Sequence, residues 1–597
     1  MPSQWGAPMA SRASVRPRAR RLVVGGLVGA ALLAGCVPAG GAVSQVQATV
    51  GEESLTALGI RVLAQPPSKG ASPQQLARQF LAACADPDDD FAVARQFLVP
   101  AEAQKWNPRG TVRIYEGDPD SPTLSHTGDR VMITTPATTA TIVAGNYSLV
   151  SGGAPASITF GLSKVDGEWR FREMPNGLLL SAALLFAYKP VDVYFLPPQG
   201  RVLVPDRVFL LAPRADLARQ AVRTLLSGPS PALDGAVRSA YPPGTRLRTA
   251  PSLRGGVLSV DVVTGTSRLD RPAMVGQLLW TASQLPEISG VRLRIDGVQY
   301  SSGSVTVLRA NPDAMGYNPN GLPPTASAYY VAPDGAGRNL LVATSGRTWR
   351  LSGGGSLRHP ALSVSEDQMA ALSCSASRCG SVYVGTRGRP LTRAGLPVAG
   401  TLTAPAWDSV GAAAVWTVDS APGRVPKVWR VPLSGPPVPV AAALGPGEVR
   451  VLRLSRDGVR VALIRLLGRT PIVEVGVVAR SGGTVRIMRL RPVAPRLIGA
   501  VDLAWADAGH LAVLAKSEAG QASVTPYRIR IDGSEAPQPV VGTVPGGVPV
   551  SLAAAPSEAL LVATIRPGQP SDTGVSALQG QVWRPLAQRG SDPVYPG

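Results

Sequence analysis

The chain has 597 residues, 45% of them hydrophobic and 16% charged, which is the make-up of a globular polypeptide of three or four domains rather than a disordered one. Its formal net charge of +20 is carried almost wholly by Arg spread along the chain, with only six Lys. No basic stripe with interleaved aromatics is present, which argues against nucleic acid as a partner and leaves either plain compositional bias or attraction to an anionic envelope surface, lipid or cell-wall polymer. A single long apolar run, near the N-terminus, excludes a polytopic membrane protein. Gly 65 and Pro 57 together suit many short strands joined by turns. Three His and four Cys are too few for most multi-ligand metal sites, and no cofactor is expected.

Residues 1–35 read as an export signal. Arg12, Arg16, Arg18, Arg20 and Arg21 precede the apolar stretch Leu22–Leu33, which is too short for the roughly 20 residues a membrane-spanning helix needs. The stretch ends in Leu33-Ala34-Gly35-Cys36, which resembles the lipobox of bacterial lipoproteins. That resemblance implies S-diacylglycerol and N-acyl attachment at Cys36, palmitate among the acyl groups, and a lipid-anchored location on the extracytoplasmic face of the cell membrane. The plainer reading is a cleaved signal with an incidental Cys. Residues 36–68, rich in Gly, Pro, Ser and Gln, suit a flexible linker. In an oxidising compartment the spacing of Cys374 and Cys379 fits a small disulfide loop, with two free thiols as the alternative. Cys84 lies on an apolar helical face with Leu76 and Phe80 and is expected to be buried.

A first α+β domain is expected over 69–188. Ser72-Pro73 caps a helix carrying Leu76, Phe80 and Leu81. The acidic run Asp86–Asp90 lacks the alternating ligand order of a Ca²⁺ loop and reads as a solvated loop. A second helix carries Phe91, Ala94, Phe97 and Leu98 and is expected to end at Pro100. Strands follow at 111–115, 130–135, 140–149 and 157–162, with a hairpin turning on Asp166-Gly167. Helices followed by one curved sheet suggest a cone that buries Trp106 and Trp169.

A second α+β domain is expected over 189–305, in the order ββαβαββ. Asp216 caps its first helix, which stops at Gly228-Pro229, and a second amphipathic helix covers Pro272–Leu285. Here Leu226-Ser227-Gly228-Pro229, Tyr241-Pro242-Pro243-Gly244-Thr245, Val260-Asp261, Gln277-Leu278-Leu279-Trp280-Thr281 and Ile295-Asp296-Gly297 resemble a GerMN domain, a module of spore-germination and sporulation lipoproteins. Upstream, Ala94-Arg95-Gln96-Phe97-Leu98, Trp106-Asn107-Pro108 and Tyr194-Phe195-Leu196 with Leu203-Val204-Pro205-Asp206 are similar to the actinobacterial LpqB lipoprotein family. The family supplies structural signatures and no catalytic set.

From 325 to 597 the chain repeats. Turn-then-apolar-strand segments centred on Glu366, Asp408, Asp457, Asp507 and Ser557 recur at steps of 42, 49, 50 and 50 residues. A second strand type recurs around Trp349, Trp429, Tyr527 and Trp583. Short strands at this period imply an all-β propeller of about six blades, closed by pairing of 328–352 with the strand near Trp583; a long β-sandwich is the alternative. The three Trp read as wedges between blades, with a partner-binding surface as the alternative. Arg486, Arg489, Arg491 and Arg496 form a basic patch, either a partner or polymer contact or a solvated strand face.

No nucleophile elbow, Ser-x-x-Lys, Cys-x-x-Cys, His-Glu-x-x-His or phosphate-binding loop occurs. His510, three residues after Asp507, is the one candidate dyad and is read as structural. The expectation is therefore a non-enzymatic accessory protein. The family resemblance implies that it binds and modulates the extracellular sensor domain of a two-component histidine kinase of the MtrB type, affecting envelope homeostasis, division or sporulation. The alternative is a propeller-based envelope hydrolase or carbohydrate-binding protein.

Overall fold

The computed structural model describes residues 64–597 except 117–121, 128–129, 136–137, 152–156, 212–213, 310–315, 323–325, 335–336, 376–377, 412, 518–520 and 522. The signal peptide, Cys36 and the linker up to residue 63 lie outside the described residues.

Helix α1 (Pro73–Ala83) begins where the Ser72 hydroxyl accepts the Gln75 N–H at 3.2 Å, a cap worth about 1 kcal/mol. Pro100 does not end a helix as expected. The helical stretch breaks after α2 (Ala92–Arg95), and Pro100 opens α3 (Pro100–Lys105), because proline at the first helical position gives up an N–H that no helix uses. The strands form two four-stranded sheets, not one curved sheet. One runs Thr123–Thr127, Arg130–Thr134, Thr159–Val165, Glu168–Glu173; the other runs Leu149–Ser151, Thr138–Ile142, Val112–Tyr115, Leu178–Ser181. Asp166 and Gly167 both have positive φ, 53° and 82°, as a two-residue hairpin requires. The interior is filled by aromatics: Phe80 lies 4.8 Å from Phe171 and 5.9 Å from Phe97. Trp106 is buried there and donates its indole N–H to the Gly177 carbonyl at 3.2 Å, whereas Trp169 is only half-buried. Cys84 is buried in the same core, and desolvation pushes its thiol up to about 12.

Strands Lys189–Phe195 and Val204–Leu210 pair antiparallel. Helix α4 (Arg214–Ser227) starts two residues before Asp216, so Asp216 is not its cap; it sits in the first turn and pairs with Arg219 at 2.7 Å. Helix α5 (Arg271–Ala282) is capped by Asp270 and connects the parallel strands Val257–Val263 and Gly290–Ile295. The free edge of Lys189–Phe195 is satisfied by side chains of the α5 region, from one face at i, i+4 and i+7. Gln277, fully buried, donates to the Tyr194 carbonyl at 2.5 Å and accepts from Ala240 N–H at 2.6 Å. Thr281 accepts from Tyr194 N–H at 3.3 Å. Gln284 takes both backbone groups of Asp192 at 2.8 and 2.6 Å. The Gln277-to-Thr281 signature is thus a substitute sheet partner, since buried backbone groups must find one.

Four short strands (Arg246–Leu247, Ser252–Arg254, Val298–Gln299 and Leu308–Arg309) complete the sheet of Val257–Val263 and Gly290–Ile295. The strands from Tyr329 on form six antiparallel groups, the blades of a propeller, the third and fourth joined by a short parallel pairing of Ala441–Ala442 with Arg486–Ile487. Blade 1 holds Tyr329–Asp334, Gly337–Val342 and Thr348–Arg350; blade 2 holds Leu357–Leu362, Gln368–Cys374, Cys379–Thr386 and Thr392–Arg393. Blade 3 holds Thr401–Leu402, Ala406–Asp408, Ala414–Ser420, Lys427–Pro432 and Val438–Ala442; blade 4 holds Glu448–Leu454, Arg460–Leu467, Thr470–Ser481 and Thr484–Pro492. Blade 5 holds Ile498–Trp505, His510–Lys516, Thr525–Arg530 and Gln538–Pro539; blade 6 holds Val548–Ala553, Leu561–Arg566, Gln569–Gln579 and Val582–Ala587. The closing strand is Ser591–Val594, which pairs with Tyr329–Val331; Trp583 lies instead on the outer edge of blade 6. Trp349 is likewise on an outermost strand, while Trp429 and Tyr527 occupy third strands, so the second recurrent pattern does not mark equivalent positions. All four are packed at least in part against the blade cores.

Removing residues 591–597 takes the inner strand from blade 1. The expected outcome is loss of the propeller's cooperative unfolding transition by near-UV circular dichroism, with amide protection retained in Lys189–Phe195 and Val257–Val263.

Candidate functional site

The innermost strands of the six blades enclose a channel cavity of about 280 Å³. At one end Arg456 reaches across it. Its guanidinium donates to the carbonyls of Pro596 (3.3 Å), Trp505 (3.2 Å) and Ala554 (3.1 Å), tying three blades together. Arg456 is 8% exposed, and desolvation lowers its pKa to about 10. Gly321, in the segment before the propeller, lies against its stem and against Val202, so this end faces the domain that precedes the propeller. At the other end His359 and Arg450 keep 40% and 51% of their side-chain surface exposed, which leaves that mouth open.

Two carboxylates face the cavity and both are engaged. Asp502 accepts from Arg453 at 3.4 Å and from the N–H groups of Leu503 and Leu552 at 2.9 and 3.0 Å; burial nevertheless raises its pKa. Asp592 is opposed by burial, but the charge and hydrogen bond of His359, 2.6 Å away, hold it below the usual carboxylate range. Asp592 also accepts from the Ser591 hydroxyl at 2.8 Å, so its oxygens are shared between His359 and that serine.

The Asp507–His510 pair forms, with Nδ1 2.9 Å from both carboxylate oxygens. Arg530 Nη1 lies 3.3 Å from Nε2. Arg528 Nη2 lies 3.1 Å from Nδ1 as well as 2.9 Å from Asp507, so both ring nitrogens sit inside an ion network and neither is turned toward a substrate. The pair belongs to an ion network between the second α+β domain and the propeller. Arg530 bonds Asp192 at 3.0 Å, and Arg207 reaches Glu535 at 3.2 Å and Asp192 and Asp532 at 3.9 Å. Beside it, Val204, Leu233 and Ala236 bury against Val459 and Val477, and Arg460 donates to the Pro205 carbonyl. Sequence reasoning missed Asp192, Arg207, Arg456 and Arg530; the one available signal was charge inside otherwise apolar strands such as Val191-Asp192-Val193.

The basic patch of the propeller is partly spent inside the molecule. Arg489 donates to the Asp234 carbonyl of the preceding domain at 2.9 Å, and Arg491 to those of Ile531 and Asp532 at 2.9 and 3.3 Å. Arg486 and Arg496 are exposed. Cys374 and Cys379 are joined as a disulfide between the second and third strands of blade 2. Their sulfurs and His359 bring donor atoms within 4.8 Å of one another, but disulfide sulfur is not the thiolate a metal needs, so these residues as joined do not fit an ion.

Three family models match this chain: the Lipoprotein LpqB N-terminal domain over residues 66–185, the sporulation and spore germination domain over 192–301, and the Lipoprotein LpqB beta-propeller domain over 339–596. A Lipoprotein LpqB of Thermobifida fusca is 29% identical, across 95% of this chain and 97% of its own. One of Streptomyces avermitilis is 27% identical, across 97% and 99%. Among solved structures, TolB from Acinetobacter baumannii covers 59% of this chain and 98% of its own at 12% identity, with a TM-score of 0.33.

Arg530→Ala leaves Asp192 only Arg207, 3.9 Å away, and a loss of about 1–3 kcal/mol, short of the cost of a wholly unpaired buried charge, is expected by chemical denaturation. For Asp507, burial opposes ionisation, but the His510 bond and charge outweigh it and bring the pKa from 3.8 to about 2. A depressed carboxylate stabilises the fold above its unfolded pKa, and that stability is lost as pH falls toward 2. Asp507→Asn is therefore expected to flatten stability against pH below 4, as followed by thermal melts.

Proposed function

Because the chain belongs to the LpqB lipoprotein family, we propose that it is a lipid-anchored accessory protein of the extracytoplasmic membrane face whose work is binding and not chemistry. The observation that carries this reading is that the two channel carboxylates and the interdomain histidine are each engaged by partners within the protein. His510 is capped on both nitrogens, Asp502 is held by Arg453, and Asp592 by His359. The curated relatives are named as lipoproteins, not as enzymes. Among the described residues no helix is long and apolar enough to cross a membrane. Two or more acyl chains on one residue hold a protein firmly where one gives only marginal binding.

The partner proposed is the extracellular sensor domain of a two-component histidine kinase of the MtrB type, with cell-wall polymer as a further contact. A bound protein biases a kinase only by its difference in affinity for the two signalling states, about 1.4 kcal/mol for each tenfold change in their ratio. The interdomain network supports such a role, because it joins the second α+β domain and the propeller into one surface whose parts need not be ordered again on binding.

Cys36→Ser is expected to move the protein from the membrane to the soluble fraction and to abolish metabolic labelling with a palmitate analogue. The full chain in detergent is expected to bind the kinase sensor domain saturably in interferometry and to change kinase autophosphorylation in proteoliposomes. Absence of binding together with unchanged kinase output on deletion overturns the partner.

A further inference from the structure

The channel carries a charge with no direct ion-pair partner among the described residues: Asp507 acts on it only through space, and Gly597 packs against its guanidinium. Arg456 is buried, and among the described residues it makes no ion pair; its three hydrogen bonds all go to neutral carbonyls. A guanidinium has five N–H donors, so two remain after those bonds. A buried cation without a compensating anion is costly, by several kcal/mol on general grounds. The other charges of the cavity do not relieve it. Arg453 and Asp502 neutralise one another, His359 and Asp592 form their own pair, and Arg450 at the open mouth has only an exposed contact with Glu448 at 3.5 Å, which water screens. The cup thus holds Arg456 and the largely solvated Arg450 without a buried carboxylate hydrogen-bonded to either.

We propose that this cup is a binding site for a small water-soluble oxyanion, a phosphate- or carboxylate-bearing molecule of sugar size, with Arg456 at its floor and Arg450 at its mouth. The volume, about 280 Å³, sits at the lower end of small-molecule pockets and is too small for a long acyl chain. The preformed carbonyl cradle fixes the Arg456 fork, so an entering oxyanion meets a donor pair whose ordering cost is already met. The site is independent of the kinase reading, since it concerns a small ligand in the channel and not a protein on the surface. It does touch the interdomain contact. Arg456 packs against Gly321 and, through it, lies next to Val202, where the second α+β domain meets the propeller.

The test is isothermal titration of the full-length protein in detergent at constant ionic strength. The probes are glucose 6-phosphate, glucuronate and inorganic phosphate, with uncharged glucose as the control. Saturable binding of at least one oxyanion and none of glucose is expected. Arg450→Gln touches no blade carbonyl, should fold normally, and is expected to weaken that binding by roughly tenfold, the scale of one charge-assisted hydrogen bond. Arg456→Gln is expected to abolish it. If Arg456→Gln fails to fold, Arg450→Gln decides. Failure of all three oxyanions to saturate at millimolar concentration overturns the site and leaves Arg456 a structural pin. Binding that Arg450→Gln leaves unchanged overturns it equally. Loss of kinase binding alone bears on neither result.

Discussion

Closure of the ring is the constraint on which the propeller depends. A four-stranded blade has two apolar faces and cannot bury either by itself. The buried clusters accordingly lie between blades, not within them. Leu340 and Val331 meet Leu362 and Met369; Leu372 and Val382 meet Trp407 and Val415; Trp416 and Val418 meet Leu452 and Leu463. Ile464 and Val473 meet Leu503 and Val513, and Leu514 meets Leu552 and Val562. The sixth contact, with Ala563, Val575 and Tyr595 against Tyr330, exists only because the chain returns to pair Ser591–Val594 with Tyr329–Val331. At ~25 cal/mol per Å² of apolar surface, an unclosed face would forfeit the gain of an entire blade contact.

The channel and the interdomain contact follow from that closure. Once six inner strands surround one axis, their inward side chains share a narrow space, and arginine is suited to it because its planar fork bonds several carbonyls at once. Arg456 does this at the end nearest the second α+β domain, and Arg460, four residues on in the same blade, donates to the backbone of that domain at Pro205. One turn of blade 4 therefore serves both the axis of the propeller and the contact beside it.

That contact is built from ions as well as apolar groups. Val204, Leu233 and Ala236 against Val459 and Val477 supply burial without direction. Arg207 and Arg530 against Asp192, Asp532 and Glu535 supply direction, because each charge is costly in any arrangement that leaves it unpaired. Continuity extends to the first domain, where Phe209 of the second domain packs into the core of the first and its N–H bonds the Tyr147 carbonyl at 2.8 Å.

Local chemistry was legible in the order of residues. Ser72-Pro73 marks a helix start, Asp166-Gly167 and Asp296-Gly297 mark hairpins, and of the repeat positions Glu366, Asp457, Asp507 and Ser557 fall in the turns between first and second strands while Asp408 ends the strand that leads into its turn. These features depend on neighbours a few positions apart, so the sequence by itself determined them, along with the need for a closed ring. Strand rank within a blade was not legible, since every strand alternates alike; Trp583 was therefore mistaken for the closing position. The charges that matter most were decided by tertiary structure alone. Asp192 and Arg530 are 338 residues apart, and Arg456 meets carbonyls 49, 98 and 140 residues away. Coulomb attraction and hydrogen bonding act over a few ångströms whatever the separation along the chain, and only the closed, docked fold brings those partners within reach.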